Sequence, residues 1–238
     1  MMLSNIAVVL NNLEITKRFV SSIRQYTSAN YELILIDNGS TEQDTIEYIK
    51  DISDISYRFE ENIDLAKAWN KGIEISRGEY VTIVNNDVVV PPNWFEPLKE
   101  TLDNNERAGM VSPITFWLIK GFFEYGFPIY FEKTFSKPFK LEKFTELVWG
   151  EFCVFKRQAL KQVGGYNEIY KDVSAEDLEI CFQLYSKGYD IYIDPRVFVY
   201  HEGNATLNLM DKEEMDKIYK RNFELFKSRW PEYAGDWE

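Results

Sequence analysis

Along the first half of the chain, apolar runs alternate with amphipathic stretches, and polar residues mark the joins. Ile6 to Leu10 is a short apolar run closed by Asn11-Asn12, after which Leu13, Phe19, Val20 and Ile23 recur near helical spacing. That pattern predicts strand, turn and helix. Leu33 to Ile36 is a second apolar run ending at Asp37, with Asn38-Gly39-Ser40-Thr41 as a turn and helix start. Tyr57 to Phe59 reads as a third short strand, Leu65 to Ser76 as a helix closed by Gly78, and Tyr80 to Val84 as a buried strand ending in Asn85-Asn86-Asp87.

Strands apolar on both faces and separated by helices imply a parallel sheet covered on both sides, with ligands bound beyond the carboxyl ends of the strands. Asn11, Asp37 and Asn85-Asn86-Asp87 each follow a strand directly, so three loops converge on one ligand. Pro91-Pro92 starts a helix through Leu102, and Met110-Val111 makes another short strand. From Ile114 to Phe144 the period is lost among aromatics (Phe116, Trp117, Phe122, Phe123, Tyr125, Phe127, Tyr130, Phe131), which predicts irregular hairpins and a long functional loop. Order returns with a strand over Val148 to Phe155 and helices over Gln158 to Val163 and Glu176 to Ser186. Short strands over Ile191 to Ile193 and Val197 to Tyr200 follow, then His201 and a final amphipathic helix over Lys212 to Arg229.

Composition narrows the ligand. With 45% hydrophobic residues in 238 the chain buries a sizeable core, and 27 basic against 39 acidic residues give a net charge of -12. Such a surface repels a nucleic-acid backbone, so an anionic ligand is held locally, by a metal ion, a helix N-terminus or a few focused cations. Cys153 and Cys181 lack CxxC or metal-finger spacing and read as buried thiols in a reducing cytosol. The start carries no basic leader, and no apolar run reaches the ~20 residues that span a bilayer.

In order, these residues resemble the family 2 inverting glycosyltransferases of the GT-A group, over roughly positions 5 to 205. Ile6 to Asn11 looks like the family's opening strand, Leu35-Ile36-Asp37-Asn38-Gly39-Ser40-Thr41 like its second, and Asn62 to Gly72 like its Asn-rich helix. Asn85-Asn86-Asp87 resembles the metal-binding DxD element, with Asn in place of the first Asp. Trp149-Gly150 with Gly164-Gly165-Tyr166 resembles the acceptor-side segment, and Ala175-Glu176-Asp177-Leu178-Glu179 the acidic motif that supplies the base.

The resemblance implies an α/β GT-A fold: a Rossmann-like, mostly parallel sheet flanked by helices, with a smaller acceptor-side subregion. It further implies one domain over 1–238, divided into a nucleotide-sugar half (1–113), an acceptor half (114–205) and a C-terminal helix (206–238). Leu10, Asn11, Asp37, Asn38, Lys67, Asn85, Asn86 and Asp87 would bind the nucleotide sugar, and Trp149, Gly150 and Glu176 the acceptor. Asp87 and His201, the one histidine, would hold Mn²⁺ or Mg²⁺, a hard cation that neutralises a diphosphate leaving group. Inversion by direct displacement needs a carboxylate to take the acceptor's proton, here Asp177, with Glu176 beside it on the acceptor.

Several of these residues also have plainer readings. Asp37 caps a helix, Asn85-Asn86-Asp87 turns the chain, Lys67 pairs with Asp64, and Asp177 sits three residues after Ser174 at near capping-box spacing. The expected partners are a nucleotide diphosphate sugar and a glycan, lipid-linked or protein acceptor, with no nucleic acid. The expected location is the cytoplasm, including peripheral association with the inner membrane face. The competing functions are a silent glycan- or nucleotide-binding module, separated by donor turnover, and a sugar nucleotidyltransferase, disfavoured because no Gly-rich phosphate loop with a following Lys stands near the first strand.

Overall fold

The computed structural model describes residues 2–117, 137–143, 150–203 and 211–231. Its elements run β1 (Leu3–Val9), α1 (Leu13–Tyr26), β2 (Tyr31–Asn38), α2 (Gln43–Ile52), β3 (Ile55–Phe59), α3 (Leu65–Ile75), β4 (Tyr80–Val84) and β5 (Val88–Val89). Then come α4 (Phe95–Asn104), β6 (Ala108–Trp117), β7 (Phe139–Lys140), β8 (Phe152–Lys156), α5 (Arg157–Val163), α6 (Glu176–Ser186), β9 (Asp190–His201) and α7 (Lys212–Arg229).

These strands form one sheet in the order β3-β2-β1-β4-β8-β6-β9-β5, with β7 on β9. The β3-β2-β1-β4 half is parallel, as the strand-helix alternation predicts. Beyond β4 the sheet is mixed: β8 runs antiparallel to both β4 and β6, and β6 pairs with β9 in parallel.

Strand alternation sorts the apolar side chains into two layers. Leu33, Leu35, Ala7, Val9, Phe152 and Val154 face α1 and α4, where Phe19, Ile23, Phe95 and Leu98 are buried. Ile34, Ile36, Ile6, Cys153 and Phe155 face α3, α5 and α6, against Trp69, Leu160, Ile180 and Cys181. Both cysteines are buried, as expected. Helix α3 lies very close to β1, since a Cβ on Gly72 would come within 2.3 Å of Ile6 Cγ2.

Three expectations change in detail. The helix expected from Pro91 starts at Phe95, because left-handed Asn93 (φ 56°) breaks the helical path. The two late strands are one, β9, whose register against β6 jumps between Pro113 and Ile114. The irregularity is locked by Asp194, which accepts from Thr101 Oγ1 (2.7 Å) and Arg196. The strand expected from Val148 is described from Phe152 onward; Val148, Trp149 and the aromatics from Phe122 to Phe131 lie outside the described residues.

Candidate active site

The carboxyl ends of β1, β2 and β4 bring together the three predicted loops, but most of their polar side chains brace one another. Left-handed Asn11 accepts from the Thr41 and Glu42 amides (2.8 and 3.0 Å). It thereby satisfies N–H groups at the start of α2, which has no side-chain cap of its own. The Asp37 carboxylate closes the turn on the Ser40 amide (2.8 Å) and pairs with Arg58 of β3. It therefore stabilises a turn rather than capping α2. Asn38 pins the approach to α3, binding Asn62 Oδ1 (2.8 Å), Ile63 O (3.0 Å) and the Ile63 amide (3.1 Å). Lys67 takes the second of its two readings, an ion pair with Asp64 at 2.9 Å. Asn86 donates to Thr16 Oγ1 of α1 (3.0 Å). Leu10 directly follows β1, next to Asn11.

Asp87 and His201 do meet. The two-residue strand β5 pairs with the end of β9 in the register Val88↔His201, and the Glu202 amide donates to Asp87 O (3.1 Å). His201 Nε2 comes to 2.9 Å from Asp87 Oδ1, with both side chains nearly buried (4% and 8% exposed). Despite that proximity, Oδ1 accepts no hydrogen bond from any described residue. A carboxylate oxygen and an imidazole nitrogen thus converge on one point, and a mixed oxygen and nitrogen donor set could hold Mn²⁺. Asn85 Nδ2 lies 3.5 Å from the same nitrogen, and the Asn85 amide donates to Glu151 O (3.0 Å). Among the described residues no third His, Cys, Asp or Glu completes a metal-holding cluster with this pair.

The acidic motif starts α6. Its N-cap is Ala175 in the left-handed region with no side-chain cap, so the Ser174 capping box is not formed. Asp177 instead receives two backbone amides, Gly150 at 3.2 Å on Oδ2 and Leu178 at 2.9 Å on Oδ1. Gly150, expected on the acceptor side, thus touches Asp177 through its backbone amide. Burial raises both carboxyls of the pair above their usual range. Burial and the Asp177 charge push Glu176 up to about 8, burial raises Asp177, and backbone amides oppose the rise at both.

Three further residues were given no site role by the sequence. Glu151, 8% exposed, is raised chiefly by burial, with His201 lowering it and Asp177 raising it further. Its signal was a charged residue at the head of the apolar run Phe152 to Phe155. Asn70 joins the two halves by binding Tyr166 O and the Tyr166 amide (2.8 Å each). Glu179, one turn past Glu176, is fully buried and accepts from Arg229, Trp230, Tyr170 and Asn167, so its role is structural.

A mixed α/β sheet with these groups along its edge defines a GT-A protein, and solved structures share it. The structure of GalNAc-T7 with UDP, GalNAc and Mn²⁺ superposes with a TM-score of 0.70 at 18% identity, over 85% of this chain and 44% of that one. The mannosyltransferase PcManGT from Pyrobaculum calidifontis, in complex with GDP-Man and Mn²⁺, gives 0.61 at 20% identity, over 86% and 57%. The glycosyl transferase family 2 model matches residues 4–164, and the chain belongs to that family of glycosyltransferases. Protein y4gI of Sinorhizobium fredii is 27% identical over 92% of this chain, which spans only 26% of that protein. The glucosyl-dolichyl phosphate glucuronosyltransferase of Haloferax volcanii is 23% identical, over 97% of this chain and 75% of its own length. Among the described residues no helix is long and apolar enough to cross a membrane.

Proposed function

We propose that this protein transfers a sugar from a nucleotide diphosphate donor to an acceptor hydroxyl, inverting the anomeric centre. The observation that carries the reading is the approach of His201 Nε2, at the end of β9, to 2.9 Å from Asp87 Oδ1, in the loop after β4, with both side chains buried. When bound, a divalent cation held by this pair neutralises charge on the leaving diphosphate. Membership of family 2, and the presence of Mn²⁺ with UDP in GalNAc-T7 and with GDP-Man in PcManGT, support the assignment.

The chain's own residues divide the remaining work. Asn85, Asn86 and the backbone at Leu10 and Asn11 wall the donor site, while Asp37, Asn38 and Asn11 hold the shape of that wall. Lys67, on the partly exposed first turn of α3, exchanges Asp64 for the diphosphate when donor binds. As the acceptor oxygen bonds to the anomeric carbon and the bond to the diphosphate breaks, Asp177 takes the hydroxyl proton. Glu176, pushed up to about 8, donates a hydrogen bond to the acceptor in its protonated form. Residues 1–113 form the donor half and 114–205 the acceptor half of one domain. The acceptor is a glycan, lipid-linked or protein hydroxyl; the Haloferax relative, a glucosyl-dolichyl phosphate glucuronosyltransferase, is in keeping with the lipid-linked class. The setting is the cytoplasm or the inner membrane face.

The test is release of nucleoside diphosphate from a panel of UDP-, GDP-, TDP- and CDP-sugars, comparing the parent with Asp177→Asn. Release from one donor class that Asp177→Asn abolishes supports the proposal. No release from any donor contradicts it and favours a silent binding module.

A further inference from the structure

The loop that delivers the acidic motif is strained and is held from outside. Asp172 (φ 63°), Ser174 (φ 84°) and Ala175 (φ 68°) all lie in the left-handed region with side chains that disfavour it. Such a conformation persists only where its surroundings over-determine it.

Here the surroundings are α3 and, above all, α7. Fully buried Asn222 directs its Nδ2 at three loop carbonyls, Lys171 O (2.9 Å), Val173 O (2.9 Å) and Ser174 O (3.1 Å). Its own Oδ1 accepts from Arg221 Nε (3.2 Å), which fixes which way the amide faces. Arg221 also donates to Lys171 O (2.9 Å) and Asp172 Oδ2 (3.2 Å). From the opposite side Asp64 accepts from the Asp172 amide (3.1 Å) and pairs with Lys171 (3.0 Å). Farther along α7, Arg229 and Phe226 grip α6 itself, through Glu179 and Phe182.

We propose that Asn222 is a positioning residue for the transfer: by holding the carbonyls of Lys171, Val173 and Ser174 it fixes where α6 begins, and with it where the Asp177 carboxylate points. The proposal rests on the reading of Asp177 as base. It also gives α7 a role in catalysis, although α7 lies beyond the residues that the family model matches. A clamp is needed because Ala175, the residue before Glu176, is itself left-handed, so a small relaxation of the loop swings the first turn of α6. Displacements of about 1 Å at a base are enough to slow a reaction about a hundredfold.

The test uses the full chain with Asn222→Ala, Asn222→Asp (equal volume, no amide donor), Arg221→Ala and the exposed control Lys220→Ala. Donor turnover, its pH profile, UDP and GDP affinity with Mn²⁺, and hydrogen exchange over 171–178 are measured. Asn222→Ala and Asn222→Asp are expected to lower kcat about a hundredfold with nucleotide affinity and donor KM unchanged. They are also expected to move the acid limb of the profile and speed exchange over 171–178, while Lys220→Ala does none of this. Should both Asn222 variants fail to fold, Arg221→Ala, which removes two bonds to the same loop from an exposed position, shows the same pattern at smaller amplitude. Unchanged exchange over 171–178, or kcat and nucleotide affinity falling together, overturns the clamp. A parent protein that turns over no donor overturns the transfer reading instead, and the exchange data still decide whether Asn222 holds the loop.

Discussion

A Cβ placed on Gly150 would sit 2.9 Å from Cβ of Asp177, closer than carbon atoms pack, while the Gly150 amide donates to Asp177 Oδ2 at 3.2 Å. The absence of a side chain at position 150 lets a backbone N–H reach the Asp177 carboxylate. Gly150→Ala keeps the amide and pushes the carboxylate away. Its expected effect is a fall of one to two orders of magnitude in turnover, about 1.4 kcal/mol of barrier per factor of ten, with nucleotide affinity retained. Steady-state kinetics set beside calorimetry checks it; equal turnover in the parent and Gly150→Ala would mean that Asp177 is not the group whose position matters.

The two acidic neighbours have opposite pH requirements. A base must be deprotonated, so turnover falls as pH drops through the Asp177 pKa, which burial holds above the ordinary aspartate value of about 3.9. Asp177→Asn is expected to cost about 10²–10⁴ in rate and to erase the acid limb, whereas Glu176→Gln keeps the limb, because glutamine, like protonated Glu176, still donates to the acceptor. A limb lost in Glu176→Gln and kept in Asp177→Asn would exchange their roles.

The same shifts have a stability consequence of defined sign. A carboxyl whose folded pKa is raised binds its proton more tightly in the folded state, so its stabilising contribution is full below the unfolded value of about 4.3 and is lost as pH rises through the folded value. Glu176→Gln should accordingly leave the melting temperature unchanged near pH 4 and raise it increasingly toward neutral pH. A gain already complete at pH 4 would show that ionisation of Glu176 is not its source.

Glu179 shows how much of the acidic motif is structural. Its fully buried carboxylate accepts from Arg229 (2.9 Å), Trp230 (2.7 Å) and Tyr170 (2.8 Å). Glu179→Ala strands these donors at the junction of α6 and α7. The expected loss is about 2–3 kcal/mol, toward the lower end of buried pairs because Arg229 is 39% exposed. Denaturant unfolding measures it; a loss below about 0.5 kcal/mol would mean that the junction repacks around the missing group.

The N-terminal half was legible because its information is periodic. Leu33 to Ile36 could only be a strand covered on both faces, and Asp37 marks its end without ambiguity. What periodicity cannot carry is pairing between short or distant segments. The pairing of Val88 with His201 rests on a two-residue strand with no pattern of its own, yet it makes the Asp87–His201 contact. Asn11, Asp37 and Asn38 were placed correctly at the strand ends, but their side chains serve the loops, because buried amides and turns need partners as much as a ligand does. Asn222 and Glu151 are single polar residues in otherwise ordinary segments, and only tertiary contacts reveal them. The Lys67–Asp64 pair was one of two open readings, separable only by geometry.

The central claim is that Asp87 and His201 form a metal-dependent nucleotide site, and calorimetric titration of UDP, GDP, TDP and CDP with and without Mn²⁺ tests it most directly. One nucleotide is expected to bind only with the metal, and Asp87→Ala and His201→Ala each to abolish that binding in a protein that remains folded. Binding that is indifferent to Mn²⁺ and to both substitutions, or no binding of any nucleotide, would contradict the account.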